Sequence, residues 1–124
     1  MEGVSYSLCD CNDILGEMGI SVKEMMACGG GGKSRIWRQM LADLYGCKVA
    51  TINQEQGPAL GVAILAGVGS GVFKSVPEAC DKLITKAKET EPNAADAEKY
   101  AKFHKLYKKL YADLKDDYKE LAEL

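Results

Sequence analysis

The sequence predicts an α/β fold of parallel strands covered by helices, closed by a long C-terminal helix. Three observations lead there. A short apolar run over residues 22–28 is followed by an amphipathic helical stretch and then by a second apolar run over residues 48–52. Strand, helix and strand within about thirty residues form the βαβ pattern, which makes the two strands parallel neighbours. Four consecutive glycines, Gly29, Gly30, Gly31 and Gly32, stand between the first strand and the helix. Finally, residues 81–124 contain ten lysines, ten acidic residues and no glycine, the composition of a helix with a solvated charged face.

Each element has its own signal. Val4, Leu8, Cys11, Leu15 and Met18 recur at spacings of four, three, four and three, an apolar helical stripe, and Gly19 sits where a helix stops. The chain enters this amphipathic element almost at once, so structure is expected to precede it. Ser34 is a suitable N-cap for a helix carrying Ile36, Trp37, Met40, Leu41 and Leu44 on one face, with Gly46 closing it. Gly57 and Pro58 open the next helix. Its body, residues 59–66, is apolar on every side and is expected to be buried all round. Gly67, Gly69 and Gly71 end it, and a short helix is expected over residues 76–83. Pro92 and Asn93 start the long helix. Tyr100, Phe103, Tyr107, Leu110, Leu114, Tyr118 and Leu121 share one stripe, which reads as a strap along the outside of the domain. There is no internal repeat and no low-complexity tract.

Composition narrows the function. At 124 residues, 47% hydrophobic and 27% charged, the chain is a folded domain or a piece of a larger one. A net charge of −2 supplies neither a basic field for nucleic acid nor a polybasic patch for anionic lipid. The longest apolar stretch, residues 58–69, is too short and too glycine-rich to span a bilayer. No charged segment precedes an apolar one at the start, so no signal peptide is expected. Five scattered cysteines, an odd number, suit a reducing cytoplasm. Cys9 and Cys11 have the spacing of half a metal site, but the single histidine, His104, lies far along the chain and no second close pair exists. Small buried cysteines are the preferred reading, and no metal ligand is assigned.

The glycine run is the candidate site. Glycine permits close backbone approach to a ligand, and a helix start presents free N–H groups to an anion. The plainer alternative is a turn chosen only for positive φ. A phosphate-binding P-loop is a further reading of residues 27–34: Lys33 would meet the β/γ-phosphates and Ser34 a magnesium ion. That machinery also needs a strand ending in an acid. Here the second strand runs into Asn53.

The string Ala27-Cys28-Gly29-Gly30-Gly31-Gly32-Lys33-Ser34-Arg35-Ile36-Trp37-Arg38-Gln39-Met40-Leu41-Ala42-Asp43 resembles the adenosine loop and helix of the FGGY carbohydrate kinases. Gln56-Gly57-Pro58-Ala59-Leu60-Gly61-Val62-Ala63-Ile64-Leu65-Ala66 resembles the helix that follows it there. Within that family the Trp-Arg-Gln-Met-Leu-Ala-Asp portion is most similar to xylulose kinases, and the resemblance extends over essentially the whole chain. It implies part of a ribonuclease-H-like, actin-like ATPase lobe. Residues 1–90 would be the C-terminal part of the nucleotide-binding lobe and residues 91–124 a helical strap packed on it.

The resemblance further implies ATP and ADP as ligands, with Mg2+ in the intact enzyme, and transfer of the γ-phosphate to D-xylulose. Ribulose, gluconate or glycerol is the alternative sugar class. Carried over by position, Gly30 and Ser34 would touch the nucleotide, Gly29 and Gly31 would give backbone clearance, and Lys33 would be a variable, partly exposed residue. Gly61 and Ala63 would pack behind the loop, and Trp37 would be core packing. The family's phosphate loops, catalytic aspartate and most sugar contacts belong to segments before residue 1. No catalytic residue is therefore assigned, and the chain alone is expected to be inactive. Asp10, Asp13 and Asp43 read as solvent-facing charges on amphipathic helices. A bare sheet edge in such a partial lobe would allow a homodimer or pairing with a partner strand.

Overall fold

The computed structural model describes residues 1–53 and 57–124. In chain order the elements are α1 (Glu2–Glu17), β1 (Glu24–Met26), α2 (Gly29–Lys33), α3 (Arg35–Tyr45) and β2 (Lys48–Ile52). They continue with α4 (Gly57–Gly69), α5 (Val76–Leu83), β3 (Lys86–Thr90) and α6 (Ala94–Glu123). The sheet order is β1-β2-β3. β1 and β2 are parallel, with Met25 opposite Val49, as the βαβ pattern requires. β3 returns antiparallel to β2, with Ala50 opposite Glu89.

Most helix ends obey local chemistry. After α1, Gly19 adopts φ +78°, Gly19 N–H donates to the Gly16 carbonyl and Ile20 N–H to that of Leu15. Two such bonds beyond a left-handed glycine satisfy carbonyls that the helix leaves open. Gly46 closes α3 at φ +61°. Ser75 accepts from the Glu78 N–H at the start of α5, and the Glu78 carboxylate takes the Lys74 N–H at 2.7 Å. Asn93 caps α6 through the Ala95 N–H.

The core lies between α1, α3 and the sheet. Tyr6, Cys9, Met40, Ala42, Cys47, Val49 and Ala50 are buried there. α3 packs against α1, α6, α2, β2 and β3.

Five sequence expectations need correcting. β1 is shorter than residues 22–28, although the Ala27 N–H still reaches the Ala50 carbonyl at 2.7 Å. On α1 the buried residues are Ser5, Tyr6 and Cys9, while Val4, Leu8, Cys11 and Met18 are exposed. α3 and α6 meet α1 on a face turned away from the apolar stripe. α4 is not buried all round: only Ile64 is, with Val62 at 68% and Leu65 at 63% exposure. It packs chiefly against α5, so most of its circumference has no described neighbour. Asp43 is buried at 4% exposure rather than solvent-facing. It accepts from the Asn93 N–H at 2.7 Å and from Gln39 at 2.9 Å, and so joins α3 to the start of α6. Lastly, α6 packs through only part of its stripe. His104 is buried and Tyr100 and Tyr107 are half-buried, whereas Leu110, Leu114, Tyr118 and Leu121 are exposed.

β3 had no apolar alternation to announce it. Its Lys-Ala-Lys-Glu-Thr sequence lies almost wholly exposed at the sheet edge, where charge discourages further strand pairing. Lys48 spans Glu89 at 3.0 Å and Glu91 at 2.9 Å, and Lys86 meets Glu24 at 2.7 Å. Hydrogen bonds that the Lys48 ammonium donates to Glu91 and Glu89 hold it above the usual lysine range. Water and salt screen exposed pairs of this kind, so they contribute little to stability.

Candidate functional site

The four glycines form a helical turn rather than an open loop, and they do not share one constraint. Gly29 has φ +72°, a conformation that L side chains rarely adopt. At Gly31 a Cβ would lie 2.3 Å from the Trp37 ring, and at Gly32 one would lie 2.8 Å from the Ala27 carbonyl oxygen. Those two glycines serve internal packing. Gly30 has neither constraint: its φ lies outside the left-handed region, and an added Cβ would meet nothing within 4 Å. Its missing side chain therefore leaves room only on the outer face.

Ser34 begins α3, as the sequence indicated. Its hydroxyl accepts the Trp37 N–H at 3.3 Å, which satisfies one of the open donors of the first turn. Trp37 is a packing residue, again as expected. Its ring covers Gly31 and its Nε1–H donates to the buried Ser5 hydroxyl of α1 at 2.9 Å. Gly61 and Ala63 do not pack behind the glycine turn. Both are exposed on α4, and it is Gly57 that comes within 3.5 Å of the Cys28 thiol, measured from an added Cβ.

Beside the turn, at the carboxyl ends of β1 and β2, lies an open hollow of about 370 Å³. Ala27, Cys28, Gly29, Gly32 and Lys33 form one wall, and Thr51, Ile52 and Asn53 form part of the other. Crevices outside the carboxyl ends of parallel strands are the usual ligand positions of open α/β sheets. Asn53 is committed to structure: its side chain accepts from the Thr85 N–H and donates to the Leu83 carbonyl.

Arg38 was missed by sequence reasoning. It lies one turn inside α3 and is only 6% exposed. Its Nη1 donates to the Gly32 carbonyl at 2.5 Å, and its Nε has no hydrogen-bond partner among the described residues. Helical periodicity gives an arginine on this face no signal of that contact, which depends on how α2 folds back on α3.

Cys9 and Cys11 face different neighbours. The Cys9 thiol donates to the Leu44 carbonyl and that of Cys11 to the Ser7 carbonyl of its own helix. Cys9 and Cys47 are buried as expected, whereas Cys11 and Cys28 are exposed. Burial pushes the Cys9 thiol up to about 11, with Asp13 and Asp10 adding to the effect, so it is protonated and inert near neutrality. Asp10 and Asp13 face α6 instead of solvent alone. Asp10 meets His104 Nε2 at 2.7 Å, and Asp13 holds Lys108 at 2.5 Å. His104 also stacks on Tyr6.

Known proteins are similar to this chain in sequence and in fold. A model of the C-terminal domain of the FGGY family of carbohydrate kinases matches residues 1–70, more than half of the chain. A xylulose kinase of Bacillus subtilis (strain 168) is 40% identical over 116 residues, 94% of this chain and 23% of that protein. An autoinducer-2 kinase of Salmonella typhimurium is 34% identical over 107 residues, 86% of this chain and 20% of that protein. Among solved structures, a ligand-bound xylulose kinase from Lactobacillus acidophilus matches with a TM-score of 0.88 at 25% identity. It covers 97% of this chain and 24% of that one. A gluconate kinase from the same organism matches with the same TM-score. The chain thus spans about a quarter of the length of these relatives. The expected fold class holds: part of an actin-like lobe, with parallel strands, packed helices and a long C-terminal helix. The chain belongs to the FGGY family of carbohydrate kinases.

Proposed function

We propose that this chain supplies one side of the ATP site of a carbohydrate kinase. The observation that carries the reading is Gly30, the one glycine of the run that neither backbone conformation nor internal packing requires. Gly29 lines the hollow, and the open face of Gly30 next to it leaves a nucleoside room to approach the backbone. Gly29 and Gly31 give the turn its shape, and the Ser34 hydroxyl, an acceptor toward Trp37, keeps its own hydrogen to donate to a ligand oxygen. Residues 1–90 then form the C-terminal part of the nucleotide-binding lobe, and residues 91–124 the strap along it.

In the whole kinase the γ-phosphate of ATP passes to a sugar hydroxyl, with D-xylulose the preferred acceptor. The 40% identity to a xylulose kinase supports that choice. The likeness to an autoinducer-2 kinase and a gluconate kinase favours another acceptor as the second reading. Neutralising the transferring phosphoryl group is the chemistry a divalent metal supplies in phosphoryl transfer. The described residues lining the hollow include no carboxylate, so this chain's site does not fit a magnesium ion and none of its residues is assigned to one. A cytoplasmic location goes with five unpaired thiols. No described helix is long and apolar enough to cross a membrane.

A P-loop reading has less support. Lys33 ends α2 instead of opening the following helix, and β2 runs into an amide side chain.

The test is calorimetric titration of the chain with ADP and with adenosine, on wild type, Gly30→Leu and Lys33→Ala. Both ligands should bind the wild type with similar affinity, and Gly30→Leu should weaken both by at least about tenfold without loss of stability. Lys33→Ala should change little. ADP binding that ignores Gly30→Leu, or that vanishes in Lys33→Ala while adenosine never binds, would sink the proposal.

A further inference from the structure

We infer that Arg38 is a positioning residue for the nucleotide site. Together with Trp37 it clamps Gly31 and Gly32, and so holds the neighbouring Gly29 and Gly30 in the shape they present outward. For its ligand the inference rests on the function proposed above. For its geometry it does not.

A five-residue helix containing four glycines cannot hold itself. Each glycine costs about 1 kcal/mol relative to alanine in a helix, and so short a helix does not pass its nucleation cost in isolation. Tertiary contacts must hold it, and the structure places them at its second half. The Gly32 carbonyl belongs to the last turn of α2, where carbonyls lack intrahelical donors and the negative end of the helix dipole lies. The buried Arg38 guanidinium meets that carbonyl at 2.5 Å, a charge-assisted bond stronger than a neutral one.

From the other sides, Gly32 lies hard against the Ala27 carbonyl at the end of β1, and the Trp37 ring lies over Gly31. Trp37 is in turn tied to α1 through Ser5. Residues 31 and 32 are thus held by two consecutive residues of α3, while Gly29 and Gly30 stand outside the clamp. Arg38 does not line the hollow. It acts through the backbone, by removing turn conformations that a ligand would otherwise have to select against.

The experiment uses Arg38→Met and Arg38→Lys in the full chain, with two readouts. The first is amide hydrogen exchange without ligand. Arg38→Met should speed exchange of the 31–34 amides about tenfold, with the amides of β2 and α6 unchanged. Arg38→Lys, which keeps a charged donor, should recover part of the protection. The second is ADP titration, in which Arg38→Met should lose about tenfold in affinity and Arg38→Lys less. Unchanged exchange in the turn would overturn the inference. So would a loss of protection spread evenly over the sheet and α6, which would make Arg38 a general core residue. Should Arg38→Met not fold, Arg38→Lys decides: full protection of the turn or a uniform loss overturns the inference, and a local partial loss supports it. Wild type that fails to bind ADP would sink the function proposed above, and the exchange readout would still decide the clamp.

Discussion

α3 and α4 are similar in length, at 11 and 13 residues, and opposite in character. α3 carries four buried side chains, Arg38, Met40, Ala42 and Asp43, two of which are ionisable. α4 contains no charged residue, yet buries Ile64 alone. Hydrophobicity therefore does not locate the core of this molecule. What matters is the number of sides from which a helix is covered. α3 is wedged between α1, α6, α2 and the sheet, so even its arginine and aspartate are enclosed and must find partners. α4 leans on α5, and the apolar groove between them stays open, lined by Met26, Ile52, Leu60, Leu65 and Val76 among others.

Three substitutions would break or sharpen that contrast. The largest effect is expected for Met40→Ala. Met40 is buried in α3 and receives the Ser5 hydroxyl at its sulfur, so truncation should cost about 2–5 kcal/mol, read from urea unfolding. A cost below about 1 kcal/mol would mean that α3 is not the centre of the core. Next comes Ser34→Ala, which removes the cap of α3. It should cost about 1 kcal/mol in the same assay. No change would mean that contacts other than the cap hold the first turn of the helix.

The smallest effect is expected on α4. Leu65→Gln at an exposed site should change stability by less than about 0.5 kcal/mol while raising solubility. A loss comparable to that of Met40→Ala would show that α4 is covered in solution and that its exposure does not describe it.

Titration sets the two ends of the sheet and core apart in a further way. Cys9 has a folded value raised to about 11. A raised value favours the protonated native state, so its contribution is complete below the unfolded thiol value near 9 and is lost as pH rises toward 11. Glu89 is shifted the other way, lowered by its hydrogen bond from Lys48. Its contribution is present above the ordinary glutamate value of 4.5 and fades as pH falls through the lowered one. Wild type compared with Cys9→Ala over pH 8–11 should therefore differ in slope, the variant losing less stability.

Much of the chain was legible because it rests on local chemistry. Ser34 as cap, Gly46 and Gly19 as stops and residues 76–83 as a helix all follow from capping and helical period, which need no distant partner. The parallel pairing of β1 with β2 followed from the βαβ pattern. The family was legible too, in the string from Ala27 to Asp43. At the candidate site, sequence marked the glycine run and Ser34 but could not tell Gly30 from Gly31. That distinction depends on a tryptophan ring that folds back over one of them.

The remainder was decided by tertiary structure, for one physical reason: burial belongs to pairs of elements and not to a segment. β3 has no amphipathic pattern of its own and exists because β2 offers it backbone partners. The apolar stripe of α1 stays exposed because α3 and α6 meet α1 elsewhere. Asp43 is buried because the Asn93 N–H and Gln39 come to it across the fold. Arg38 reaches Gly32 only because four glycines, which by propensity alone would not be helical, are held in a turn against α3. The amino-acid order marked most helix starts and stops and the parallel pair of strands. Which of their faces meet, and so which residues are silent and which are exposed to a ligand, was settled only when the elements packed.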